Sequence, residues 1–304
     1  MGNVELDFSF YHPEMDIYSD GDIENEILDI VQARKVEEIL ERENRWPILY
    51  HLSPERKNIL SWYPFDKEKS LLEIGCGCGA VTELFMQRVQ DVEAIESSKR
   101  RAMITKERQS NQENHLLLHV GDFNRIAAHL TKKYDYVTMI GVLEYAPMFS
   151  PEADDPFLAM LKRCHQLLLV GGKLFLAIEN RLGAKYFAGA GEDHLGVRYV
   201  GVEGYAPSEK VKTFSRLELQ RLVMSAGFQA EYQAWYYPYP DYRFPANICS
   251  DEWLPRPADL YATVEALDTE RLAVFDEQRF LQSLLPGEFP IFSNSFLVIA
   301  EKEP

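Results

Sequence analysis

Between Leu71 and Phe85 the chain reads LLEIGCGCGAVTELF, with three glycines in five positions at a junction between two different periodicities. Leu71, Leu72 and Ile74 make a short apolar run suited to a buried strand, and a helical pattern resumes from Ala80 to Phe85. Gly75, Gly77 and Gly79 therefore fall in the turn, where glycine signals positive φ or a backbone that a ligand must approach closely. A strand, a glycine turn and a helix in this order predict a ligand at the turn.

The rest of the chain continues that rhythm. TELFMQRV is helical, DVEAIE reads as a strand, a helix is expected from Ser98 to Gln109, and HLLLHVGD, YDYVTMIGVLE and GGKLFLAIE follow as strands, with a helix around Phe157 to Leu168. Five strands alternating with helices predict an α/β fold with a doubly wound, Rossmann-like parallel sheet. Residues 1–62 are expected as a helical extension, with one helix from Ile23 to about Glu43 and another through Trp62 that starts at a Ser53 cap and Pro54. The cofactor-binding core is assigned to 63–180. Residues 181–214 lie in a glycine-rich, loop-rich stretch that suits a lid. Residues 215–304 then supply a helix at Ser215 to Ala226, the strand FQAEYQAWYY, an aromatic insertion over 236–285 containing a helix from Ala258 to Leu284, and a closing strand SFLVIAEK.

Composition narrows the partners. With 32 basic and 48 acidic residues the formal charge is -16, which would repel a phosphate backbone, so no nucleic-acid partner is expected. No segment approaches the roughly 18 consecutive apolar residues of a membrane span, and MGNVELDFSF lacks the basic and apolar regions of an export signal. Cys76, Cys78, Cys164 and Cys249 make no disulfide framework, and a cytoplasmic location is the expectation. The Cys-Gly-Cys within the loop has no nearby His or Cys partner at ligand spacing, so no metal site is expected.

Taken as G-x-G-x-x-A, the loop also fits a dinucleotide fingerprint, with Glu96 near the end of the next strand placed to hold ribose hydroxyls. Glycines at alternate positions, Glu73 two residues ahead of the first, and Asp122-Phe123 ending the third strand favour S-adenosylmethionine. On these residues the chain resembles the class I S-adenosylmethionine-dependent methyltransferases, over about Leu71 to Glu179 and again in the final two strands. IENRLGAKYFAG, EDHLG and YYPYPDYRFP are further similar to stretches of bacterial methyltransferases found with glycosyltransferases in polysaccharide gene clusters.

The resemblance implies a seven-stranded sheet with the last strand antiparallel, and S-adenosylmethionine as cofactor with S-adenosylhomocysteine as product. It places Glu73, Gly75, Gly77 and Gly79 at the methionine and ribose portion, Glu96 on both ribose hydroxyls, Asp122 on the adenine amino group, Phe123 against the ring, and Gly141 along its other side. A carboxylate suits two neighbouring hydroxyls because it offers two acceptor oxygens.

In an open α/β sheet the ligand crevice lies at the carboxyl ends of the strands, which nominates Glu144 and Tyr145 after the fourth strand and Glu179, Asn180 and Arg181 after the fifth. Many small-molecule members of the family carry His near Tyr145, and its absence leaves the general base open; if one is required, His194 on the expected lid is the best titratable candidate, since an unperturbed imidazole titrates near neutrality. Trp235, Tyr236, Tyr237, Tyr239 and Tyr242 make an aromatic group that could form a sugar or aryl platform, and Arg181, Lys185, Arg198 and Arg243 could recognise a phosphate or carboxylate. The function expected is methyl transfer to a hydroxyl or amine of a small molecule, with a saccharide or sugar-linked acceptor the narrower expectation. The alternatives are an NAD-dependent oxidoreductase and a non-catalytic S-adenosylmethionine-binding module. Oligomeric state is left open.

Overall fold

The computed structural model describes residues 3–17, 19–150, 153–256, 258–260, 270–272 and 275–303. The chain divides into two compact units, one comprising 1–139 with 166–172 and the other 140–165 with 173–304.

The first unit carries the glycine turn. Its strands are β1 (Val4–Asp7), β2 (Ser70–Ile74), β3 (Asp91–Glu96), β4 (Leu116–Val120) and most of β5 (Tyr134–Ile140), hydrogen-bonded in the order β1-β4-β3-β2-β5. Every pairing is parallel, with Leu72 opposite Glu93 and Val137, and Val4 opposite Leu116. Strands covered on both faces need side chains apolar on both, which is why LLEI and LLLHV read as near-continuous apolar runs.

In the second unit the part of β6 (Leu168–Glu179) from Lys173 onward, β7 (Gln233–Tyr239), β8 (Asn247–Ser250) and β9 (Ser295–Glu301) run in the order β6-β9-β7-β8, with every neighbour antiparallel. The closing strand SFLVIAE lies between β6 and β7, antiparallel to both. The fold is α/β and Rossmann-like, as expected, but the described residues form nine strands rather than seven. The additional ones are β1 at the edge of the first set, within the segment read as purely helical, and β8 at the edge of the second.

The N-terminal helix predicted from Ile23 to Glu43 is two helices, Ile23–Gln32 and Val36–Leu40, broken where Arg34 takes a left-handed conformation at φ 57°. A further helix, Trp46–Leu52, went unpredicted. Ser53 caps as expected, its hydroxyl accepting from the Glu55 amide, but Pro54–Ile59 winds as a 3-10 helix. These pieces are not an appendage. Ile27, Ile30, Val31, Ile48 and Leu52 bury themselves with Ile104 and with Cys78 of the glycine turn itself. In the second unit, Ser215 and Glu218 form a reciprocal capping box that starts the helix Arg216–Ser225. Of the helix expected over 258–284, residues 261–269 and 273–274 lie outside the described ones; 258–260, 270–272 and 275–276 are not helical, and only Glu277–Ser283 is.

The edge strand β1 is tied down by His119, which bridges Asp7 at 2.9 Å and Glu93 at 3.1 Å, while Tyr134 and Lys132 also donate to Glu93. Burial alone would lower the His119 pKa, but the two carboxylates outweigh it and raise it; burial would raise Glu93, but His119, Lys132 and Tyr134 hold it down at about 2. A raised imidazole stabilises fully below its unfolded value of 6.5 and loses that contribution as pH rises through the folded value. The depressed Glu93 contributes above 4.5 and loses it as pH falls toward about 2. The stability difference between the parent and His119→Gln, measured by urea unfolding, should therefore be largest at about pH 5.5 and shrink by about pH 9. Equal differences at both values would rule this account out.

Candidate functional site

The three-glycine turn has φ of 71° at Gly75, 57° at Gly77 and 75° at Gly79, all in the left-handed region that side chains disfavour. Glu96, at the end of β3, grips the turn. One of its oxygens accepts from the Gly77 amide at 2.7 Å and the other from the Ser98 amide at 2.8 Å, and burial pushes its pKa up. The helix Lys99–Arg108 laces the other side, with Thr105 donating to the Gly77 carbonyl at 2.8 Å and Gln109 to that of Gly79 at 2.9 Å. Sequence reasoning missed both residues. The signal was two polar side chains four apart on one helix face, turned toward a strand-end loop.

A side chain added at Gly79 would meet Gln109 and Thr105 at 2.9 to 3.1 Å, whereas one added at Gly77 meets nothing within 4 Å. The surface of the turn is therefore open at Gly77. Glu73 lies buried beneath, with one carboxylate oxygen lacking any hydrogen-bond partner and its pKa raised to about 8 by burial, which outweighs the Thr82 hydroxyl. Asp122 caps the helix Phe123–His129 by accepting from the Arg125 amide, so its carboxylate is partly engaged, and Phe123 is 6% exposed. An open glycine backbone beside a buried carboxylate that lacks a partner fits a ligand carrying both a nucleoside and a cationic group. Cys76 and Cys78 are buried thiols whose pKa values burial raises, packed rather than poised as ligands.

The second cluster belongs to the second unit. Glu144 sits in the 3-10 turn Leu143–Tyr145 that follows β5, Glu179 ends β6, and His194 lies in the loop after the short helix Ala184–Phe187. The side chains of Glu144 and Glu179 are buried, and their four carboxylate oxygens have no hydrogen-bond partner among the described residues. His194 Nε2 is 3.4 Å from Glu179 Oε2, and its Nδ1 is 2.9 Å from the Tyr145 hydroxyl. Burial and the Glu179 charge hold Glu144 well above the usual carboxylate range. His194 is raised to about 9: burial alone would lower it, but the charges of Glu179 and Glu144 prevail. That differs from the titration near neutrality expected of His194 from sequence, and its cause is the two carboxylates facing the ring.

Other candidates are engaged in holding the fold. Asn180 is buried, its amide donating to the Ile291 and Ser293 carbonyls at 2.7 Å each while its oxygen accepts from the Leu182 amide at 3.0 Å. Arg181 is spent on Glu218 and on the Gly201 carbonyl, and Arg198 on the Gly189 carbonyl and Glu270. Tyr239 and Tyr242 are no open platform, being 2% and 1% exposed. A side chain at Gly141 would stand 2.6 Å from the Tyr242 hydroxyl, so that glycine makes room for the tyrosine.

Lys185 and Arg243 are not free anion-binding groups either. Lys185 Nζ lies 2.6 Å from Asp193 and 2.9 Å from Asp241, and Arg243 reaches Asp241 at 2.8 Å and Asp193 at 2.7 Å, all of them buried or nearly so. This closed ring of two cations and two anions, unforeseen from sequence, holds the residue before His194 in place. A cavity of about 410 Å³ along β7 is lined by Lys173, Tyr232, Trp235, Tyr236 and Asp251 among others; it takes in Trp235 and Tyr236 of the aromatic group but none of the catalytic or cofactor candidates.

A methyltransferase-domain family model matches residues 48–233, from the helix before the glycine turn to the start of β7. The chain belongs to the methyltransferase-domain family. Its cofactor is accordingly S-adenosylmethionine, in keeping with the open turn and buried acid of the first unit. Curated relatives include the ubiquinone biosynthesis O-methyltransferases of Pseudomonas aeruginosa strain UCBPP-PA14, 26% identical over 51% of this chain and 64% of that protein, and of Psychrobacter arcticus, 30% identical over 53% and 59%. The chain thus spans less than two thirds of the length of these two relatives. Among solved structures, phosphoethanolamine N-methyltransferase 2 of Haemonchus contortus with S-adenosyl-L-methionine aligns over 91% of this chain and 60% of its own, at 15% identity and TM-score 0.49. An S-adenosylmethionine-dependent methyltransferase of Archaeoglobus fulgidus aligns over 90% and 94%, at 12% identity and TM-score 0.45. No helix among the described residues is long and apolar enough to cross a membrane.

Asn180→Ala should lower the unfolding free energy by about 2 kcal/mol, because it leaves two inward carbonyls and one amide without partners. Thermal unfolding of the variant checks this, and an unchanged melting temperature would return Asn180 to the list of groups available to a substrate.

Proposed function

We propose that the protein transfers the methyl group of S-adenosylmethionine to a hydroxyl or amine of a small molecule. The observation that carries this is the glycine turn gripped by Glu96: three left-handed glycines with an open face at Gly77, over a buried Glu73 oxygen without a partner. Glu73 suits the cationic end of the cofactor, while Glu96 retains lone pairs for ribose hydroxyls beside the two backbone amides it already holds. Asp122, Phe123 and Gly141 are assigned to the adenine end. Methyl transfer from a sulfonium asks mainly for alignment and exclusion of water, with no covalent protein intermediate.

Glu144, Tyr145, Glu179 and His194 are assigned to the acceptor, with segments 181–214 and 236–285 as the parts that bind and cover it. The relatives' names support a small-molecule acceptor. The likeness of IENRLGAKYFAG, EDHLG and YYPYPDYRFP to methyltransferases of polysaccharide clusters supports a sugar-linked one. Four buried free thiols suit a reducing cytoplasm.

The direct experiment incubates the protein with radiolabelled S-adenosylmethionine and a small-molecule extract and identifies the labelled product. Absence of any labelled product, with S-adenosylhomocysteine binding intact, would favour a binding module. Protection against unfolding by NAD alone would favour an oxidoreductase.

Gly77→Val should remain folded, since its Cβ meets nothing within 4 Å, at a strain cost of about 1 to 3 kcal/mol for a branched residue at positive φ. Its side chain would fill the open face, so calorimetry should show S-adenosylhomocysteine affinity reduced at least tenfold. A folded Gly77→Val that binds as tightly as the parent would refute this reading of the turn.

A further inference from the structure

We propose that Glu144, Glu179 and His194 are the protein ligands of one divalent metal ion, a site that the sequence did not suggest. One ligand atom from each lies within 4.8 Å of the other two, and the three come from separate segments: a turn after β5, the end of β6 and a downstream loop. The independent observation is the state of the carboxylates. Glu144 is 1% exposed and Glu179 fully buried, yet among the described residues none of their four oxygens has a hydrogen-bond partner. Leaving an acceptor buried and unsatisfied is costly, more so for a charged group, so such oxygens mark the place of a cation.

The imidazole is set as a ligand would be. Tyr145 holds Nδ1 at 2.9 Å with the rings edge to face, which turns Nε2 toward Glu179. Nε2 and the nearest Glu179 oxygen are 3.4 Å apart, an ion pair when the imidazole is protonated and a spacing that a shared metal ion also allows. Two donors each about 2.1 Å from a metal, at angles between square and tetrahedral, stand about 3.0 to 3.4 Å from one another.

Neighbouring charges leave these three to act together. Glu192 is engaged elsewhere, one oxygen accepting from the His194 and Leu195 amides and the other from the Tyr205 hydroxyl. Arg243 comes no nearer to Glu179 than 3.8 Å, because its close contacts are with Asp241 and Asp193. Two carboxylates and an imidazole suit Mn2+ or Zn2+, and three protein ligands leave positions open for an oxygen of the acceptor. That last role rests on the methyl-transfer reading; the metal site itself does not.

The test titrates Mn2+ into the full-length, chelator-treated protein and follows the free ion by electron paramagnetic resonance, with Zn2+ as competitor. One equivalent of Mn2+ should bind and be displaced by Zn2+. Glu144→Gln, Glu179→Gln and His194→Ala should each weaken binding at least tenfold. S-adenosylhomocysteine affinity, measured in parallel, reports on the turn of the first unit and separates failure of the metal site from failure of the cofactor reading. If one variant fails to fold, the remaining two decide. No uptake at millimolar metal by parent protein that still binds S-adenosylhomocysteine would overturn the proposal, as would uptake that survives the substitutions. Methylammonium binding at these residues without metal uptake would assign them to an amine instead, and overturn it equally.

Discussion

The second unit depends on a ring of buried charge. Lys185, Asp193, Asp241 and Arg243 are taken out of water together, and four groups so buried are tolerable only because each meets opposite charge within 3 Å. The attractions hold Asp193 and Asp241 low and Lys185 and Arg243 high, against the burial that would push each the other way. Removing one partner would strand a charge in the interior. The ring fixes the backbone at Asp193, the next residue is His194, and the facing acid is Glu179, which Arg243 approaches at 3.8 Å. What looks like a structural clamp thereby sets the position of the chemically available groups.

The first unit solves a different problem with a similar device. A strand that ends in three left-handed glycines has little of its own to hold it, since glycine loses the most conformational freedom on ordering. Glu96 supplies one tether, Thr105 and Gln109 two more, and Cys78 anchors the turn in the apolar cluster with Ile27, Ile48 and Ile104. The N-terminal helices help build the turn, and the Cys-Gly-Cys spelling follows from packing: a small apolar side chain between glycines that must stay bare.

Much of the fold was legible in the sequence because its causes are local. Parallel strands announce themselves as apolar runs, and Ser53 with Pro54 as the start of a helical turn. Where the reading failed, a longer-range cause had intervened. The helix after Ile23 breaks at Arg34, although no glycine or proline marks the place. β1 is four residues whose pairing with β4 lies more than a hundred positions away. Asn180 and Arg181 were nominated from their position at a strand end, and packing spends both on backbone carbonyls and on Glu218.

The sequence by itself determined the α/β architecture, the glycine turn and the acid at the end of the next strand, since each follows from periodicity and from what glycine alone permits. It also singled out three stretches, IENRLGAKYFAG, EDHLG and YYPYPDYRFP, without a physical reason for them. Only the tertiary structure decided that Glu179 and Lys185 from the first, Asp193 and His194 from the second, and Asp241 and Arg243 from the third meet in one buried network. Which charges neutralise one another, and which carboxylates are left without a partner, depends on distances of a few ångströms between residues up to sixty-four positions apart, and a linear sequence does not contain those distances.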